Sequence, residues 1–163
     1  MAADDVDQIV EAWHRERPDL DVQPLAVLSR VTRLARHLDQ ARAEAFAGHD
    51  LDGWEFDVLA ALRRSGAPYA LSPGQLTSQT MVTSGTMTNR IDRLEERDFV
   101  RRRPDPNDRR GVRVELTDRG KRAVDGALTD LLEREHSLLD SLKNSDRVEL
   151  ANLLRTLMGQ FRS

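Results

Sequence analysis

The sequence predicts a mainly α-helical chain carrying one small β-hairpin. Apolar residues recur at spacings of three and four through most of the 163 residues. Helix start signals recur beside those stripes. Only two stretches alternate apolar with polar, and they flank a linker of turn formers. Hydrophobic residues make up 39% of the chain and charged residues 33%, enough for a core under a charged surface. The absence of cysteine excludes a disulfide framework, a thiol switch and a cysteine zinc site. No run approaches the ~20 apolar residues of a membrane span, so no membrane partner is expected. Met1-Ala-Ala-Asp-Asp lacks the basic and apolar regions of a signal peptide, which makes a cytoplasmic location the expectation.

Asp4 to Arg17 reads as a short helix with Val6, Ile9, Val10 and Trp13 on one stripe. Pro18 ends it and Pro24 opens a longer helix, whose stripe runs through Leu25, Leu28, Val31, Leu34, Leu38, Ala41 and Ala45 until Gly48-His49-Asp50. Asp52 with Glu55 forms a capping box ahead of Trp54, Val58, Leu59 and Leu62. Ser72, Pro73 and Gln75 start a short helix ending near Thr80. Thr83 or Ser84 caps the next, with Met87, Ile91 and Leu94 inward and Asp98 where a left-handed cap is needed. Phe99–Arg103 and Val112–Leu116 are the alternating stretches, and 104–111 reads as a long charged hairpin tip. Thr117 caps a long helix to about Lys143, with Val124, Leu128, Leu131, Leu138 and Leu142 on one side. Ser145 caps a last helix bearing Val148, Leu150, Leu153, Leu154, Leu157 and Phe161.

A short helix, a turn, a second helix and a hairpin in that order describe a winged helix-turn-helix over 52–116, with helical layers on either side. Such an arrangement delivers its second helix to the major groove of double-stranded DNA. Net charge is only −3, but Val100–Arg113 holds six arginines against two aspartates, +4 locally, which leaves −7 elsewhere. A basic patch on an acidic body concentrates an anionic partner at one place. The recognition-helix candidates are Thr83, Ser84, Thr86, Thr88, Asn89, Arg90 and Arg93, since hydroxyls reach phosphates, asparagine pairs with adenine and arginine with guanine. Arg109, Arg110 and Arg113 are the wing candidates, suited to a narrow minor groove. Asp108 is expected to orient Arg110 through a bidentate ion pair. Hydroxyls suit any helix start and arginine runs are commonly solvated faces. It is the joint order of these features that points to DNA.

Other chemistry finds little support. His14, His37, His49 and His136 lack the spacing of a metal pair, so no metal or cofactor is expected. No glycine-rich phosphate loop or nucleophile elbow appears, so an enzyme is not expected. The rival reading is a helical dimeric protein-interaction module without operator binding. It would lack the salt-dependent DNA affinity a regulator requires.

Five segments carry a resemblance to a known family. They are Phe56-Asp-Val-Leu-Ala-Ala-Leu-Arg-Arg-Ser-Gly, Leu71-Ser-Pro-Gly-Gln-Leu, Ser84-Gly-Thr-Met-Thr-Asn-Arg-Ile-Asp-Arg-Leu-Glu, Arg102-Arg-Pro-Asp-Pro-Asn-Asp-Arg-Arg-Gly and Leu116-Thr-Asp-Arg-Gly. Together they resemble the MarR family of transcriptional regulators from about residue 25 to the C-terminus. Asp98 departs from the pattern, which usually has glycine there. The resemblance implies a single MarR-like domain over 1–163, with 4–46 and 117–163 forming a helical dimerisation region. It also implies a homodimer, most often a repressor, on a pseudo-palindromic operator. The stripes on helices 25–46, 117–143 and 145–162 exceed what a small winged domain needs, which suits a second copy.

The extra N-terminal helix is similar to that of the urate-responsive branch. In that branch a tryptophan, an aspartate and two arginines surround an anionic ligand, and the matching positions here are Trp13, Asp57, Arg90 and Arg102. A planar anion can stack on an indole while guanidinium groups take its charge. Asp57 would hold Arg90 or Arg102 in the empty pocket, and an arriving anion would disturb that pair. A tricarboxylate or an aromatic acid would also suit two arginines. Arg90 is a candidate for ligand, DNA or both.

Overall fold

The computed structural model describes residues 3–161 and divides into two compact units, one up to Ala43 and one from Glu44 onward. In the first unit, α1 spans Asp5–Glu16 and is capped by Asp4, whose carboxylate accepts from the backbone N–H groups of Val6 and Asp7. Asp7 returns the bond to the Asp4 N–H, completing a capping box. The helix α2 spans Gln23–Ala47, with Pro24 in its first turn. Arg30 of α2 donates to Asp4 Oδ2 at 2.9 Å and to Asp7 Oδ1 at 2.7 Å, tying α2 to the start of α1 around the buried Val6. Leu28, Val31 and Leu34 on the α2 stripe remain exposed.

The second unit contains α3 (Gly53–Arg64), β1 (Ala70–Leu71), α4 (Pro73–Thr80), α5 (Ser84–Glu96), β2 (Val100–Asp105), β3 (Asp108–Leu116), α6 (Asp118–Leu139) and α7 (Asn144–Met158), closed by a 3₁₀ turn. The strands form an antiparallel sheet in the order β1-β3-β2. Both expected capping boxes are present, Asp52 with Glu55 and Ser72 with Gln75. The core gathers Phe46, Val58, Leu59, Leu62, Leu76, Met87, Ile91, Leu94, Phe99, Val114 and Val124, with the Phe46 and Phe56 rings stacked at 4.1 Å.

An ion pair fixes α3 against the far end of α5. The Glu55 side chain is only 2% exposed, and it accepts from Arg97 Nη1 at 2.6 and 2.7 Å. Arg97 Nη2 donates to the carbonyl oxygen of Asp50 at 2.6 Å. Asp98 adopts the left-handed conformation, φ 58°. The Phe99 N–H reaches the Leu94 carbonyl and the Asp98 N–H that of Glu95, so the turn usually made by glycine is kept intact by an aspartate. At the start of α6, the Thr117 hydroxyl accepts from the Gly120 N–H, and a Cβ on Gly120 would overlap the Phe99 carbonyl.

Several sequence expectations need correction. The hairpin tip is short rather than long: β2 and β3 pair up to Asp105 and Asp108, leaving Pro106-Asn107 as the turn. Asp105 accepts from the Asn107 N–H, which tightens that turn. Asp108 accepts from the Arg110 backbone N–H instead of gripping the Arg110 guanidinium, because the carboxylate satisfies its own strand start first. The two-residue strand β1 was not foreseen, being too short to show a period. The helix α6 ends at Leu139, not Lys143, and α7 starts after Lys143 rather than Ser145. On α6 the inward positions are Gly120, Val124, Ala127 and Leu131, whereas Leu128 and Leu138 are exposed.

Candidate nucleic-acid interface

The turn between α4 and α5 carries Met81 in the left-handed region, φ 52°, projecting fully into solvent. Thr83, not Ser84, caps α5 through the Thr86 N–H, and the Thr83 hydroxyl also donates to that of Thr86 at 2.9 Å. Thr88 donates back to the Ser84 carbonyl. Met87, Ile91 and Leu94 are buried beneath, so Ser84, Thr86, Thr88, Asn89 and Arg93 face solvent on the outer side of the helix. The inward stripe thus determines which polar residues are presented.

The wing arginines separate into four groups. Arg101 and Arg103 lie against Glu115 of the neighbouring strand. Arg102 bonds to Asp92 and Glu95 of α5, and its backbone N–H also donates to Glu95 at 2.8 Å. Burial disfavours the charge of Arg102, but the two carboxylates outweigh it and hold the guanidinium above its ordinary value. Arg109 and Arg110 follow the tip at the start of β3, exposed and without an acidic partner among the described residues. Arg113 does not belong with them. Its Nη2 donates to the Ala70 carbonyl at 2.6 Å, and its Nε is buried without a hydrogen-bond partner among the described residues. Its register opposite Arg103, nearer the root of the hairpin, turns it toward β1 and away from the tip.

Arg90 and Arg93 lie over the ring of Trp54, 5.4 and 5.2 Å from its centroid. With Gly85, Thr86 and Asn89 they line an open cavity of about 530 Å³. Neither arginine has an acidic partner among the described residues. Of the four positions matched to an anion pocket, Trp13 lies in the first unit and is about half exposed. Asp57 sits one turn after Trp54 on α3, also exposed. Arg90 lies over Trp54, and Arg102 is committed to Asp92 and Glu95. Trp54 is the residue that sequence reasoning missed, because its spacing on α3 reads as core.

A paired short and long helix, a presented polar face and an arginine-tipped hairpin define a winged helix-turn-helix protein. A sequence profile of the MarR family matches residues 49–111. The chain is 39% identical over 150 residues to the HTH-type transcriptional regulator PecS of Dickeya dadantii, covering 92% of this chain and 90% of that protein. It is 32% identical over 143 residues to the HTH-type transcriptional repressor NicR of Pseudomonas putida, covering 85% and 89%. Among solved structures, a MarR mutant from E. coli complexed with operator DNA superposes with a TM-score of 0.70 at 26% identity, covering 85% of this chain and 99% of that one. Bordetella bronchiseptica BpsR, whose DNA binding is regulated by 6-hydroxynicotinic acid, gives 0.67 at 27% identity, covering 80% and 91%. The chain belongs to the MarR family of transcriptional regulators. No helix among the described residues is long and apolar enough to cross a membrane.

Proposed function

We propose that this regulator is a repressor that binds a pseudo-palindromic operator as a homodimer and is released by a small anionic ligand, urate being the first candidate. The observation that carries the DNA reading is the position of the unpaired cations. Arg109 and Arg110 stand at the wing tip, while Thr83, Ser84, Thr86, Thr88, Asn89, Arg90 and Arg93 run along α5 from its N-cap to its last turn. Phosphates would meet the hydroxyls and the wing, and base edges would meet Asn89 and Arg93. Supporting the homodimer, α7 buries none of its residues, and Leu138, Leu150, Leu153, Leu154 and Met158 are all exposed. A second copy covers such stripes in a two-fold assembly and sets the half-site spacing near one helical turn.

For the ligand, Asp57, Arg90 and Arg102 are the proposed contacts in the second unit. Trp13 is retained as a stacking candidate, to be tested by its own substitution. The ligand acts only if it binds the form with low DNA affinity better than the other. A second reading, an aromatic carboxylate in place of urate, is favoured by the prior engagement of Arg102 with two acids, which leaves Arg90 as the freer cation.

The test is a fluorescence titration of the protein with labelled DNA from upstream of its own gene, at two salt concentrations, with urate and then aromatic carboxylates as competitors. Tight, salt-sensitive binding reversed by urate supports the full reading. Binding reversed only by a carboxylate replaces the ligand. An absence of salt-dependent affinity for that DNA and for a wider operator set favours the interaction module.

A further inference from the structure

We infer that Trp54 is the positioning residue of the DNA-reading face: its indole holds Arg90 and Arg93 together, and through it the setting of one arginine is felt by the other. This rests on the regulator reading above.

Arg90 and Arg93 are three residues apart and share one side of α5. Both guanidinium carbons lie within 5.5 Å of the same ring centroid. A guanidinium within about 6 Å of an aromatic face is attracted by the ring quadrupole, and tryptophan is the strongest of the aromatic partners. Neither arginine has an acid to hold it instead among the described residues, so the indole is the group that limits their rotamers. A long cation that is ordered before DNA arrives loses less freedom on binding.

The platform is itself fixed. Trp54 is partly buried against the core. It lies inside the Asp52–Glu55 capping box, two residues after Asp52, and the adjacent Glu55 is clamped by Arg97 at the end of α5. The same ion pair ties α3, which carries Trp54, to the end of α5, which carries both arginines. An anion that drew Arg90 off the ring would change the environment of Arg93 without touching it.

The experiment measures operator affinity at two salt concentrations for the parent, Trp54→Phe, Trp54→Leu, Arg93→Ala and the Trp54→Leu/Arg93→Ala double variant, each with a thermal melt. Trp54→Leu is expected to weaken binding about tenfold and Trp54→Phe about threefold, following the loss and partial retention of the ring. The double variant should bind more tightly than the product of the two single losses implies, because both act through one contact. Unchanged affinity in Trp54→Leu, or fully multiplicative losses, overturns the inference. Should Trp54→Leu fail to fold, progressively fluorinated tryptophan at position 54, measured against the Trp13→Phe protein, keeps the shape and weakens the ring. A stepwise fall in affinity supports the positioning role and a flat series overturns it. A parent protein that binds no DNA overturns the regulator reading and this inference together, whereas tight binding by the parent with indifference at Trp54 removes this inference alone.

Discussion

The helices α5 and α7 are similar in length, 13 and 15 residues, and both carry a clear apolar stripe. Their fates differ. Met87, Ile91 and Leu94 of α5 are at most 1% exposed, whereas Leu153 and Met158 of α7 stand near 60%. The recognition helix therefore finds its cover within the chain, and α7 displays an apolar face that only another surface can remove from water. A contiguous exposed stripe of that kind marks an interaction site. An apolar stripe thus specifies that a face must be covered, and the tertiary contacts decide by what.

The largest effect should come from the side that is already closed. Arg97→Ala leaves the Glu55 carboxylate buried and unpaired, and should destabilise the second unit by about 3 kcal/mol, read from chemical denaturation. A loss under 1 kcal/mol would mean that α5 is held by its apolar stripe alone. On the open side, Leu153→Glu should keep the fold but weaken self-association at least about tenfold, since burying a lone carboxylate costs roughly 2 kcal/mol or more. Sedimentation equilibrium checks this, and an unchanged assembly would count against α7 in the proposed homodimer. A smaller change is expected at the wing. Arg110→Ala should lower affinity for every operator and reduce the salt slope by about 1.

The smallest effect concerns acid. The bond from Arg30 holds the Asp4 carboxyl below its usual value, and the Asp4 backbone bond, followed by Arg30, does the same for Asp7. Groups with depressed folded values stabilise above the ordinary carboxylate range and lose that contribution as pH falls through the depressed values. The packing of α1 on α2 in the first unit should therefore loosen below about pH 4. In Arg30→Ala, NMR titration should show both carboxyls moving up toward ordinary values.

The locally encoded parts of the fold were legible. Capping boxes at Asp52 and Ser72, the Thr117 cap and the left-handed Asp98 all follow from neighbours within four residues. What depended on distant partners was not. The strand β1 is extended only because Ala70 and Leu71 pair with β3, and Ala127 is buried because of what faces it. At the candidate site, residue type identified the arginines but not their partners. Nothing in the spacing of Arg102 reveals Asp92 and Glu95, and nothing near Arg113 reveals the Ala70 carbonyl. Trp54 was hidden for the same reason: its spacing on α3 is that of a core residue, and its arginines come from another helix.

Gly120 has a mechanical consequence. Because no side chain fits between the first turn of α6 and the Phe99 carbonyl, helix and hairpin root mesh like gears without backlash. The 22 residues of α6 make a rod about 33 Å long, and a tilt of about 5° sweeps its far end by roughly 3 Å. That far end is where Leu138 and Leu139 lie exposed. By the same geometry, a shift of about 3 Å at that end corresponds to a turn of only about 5° at the Gly120 contact with the root of the wing.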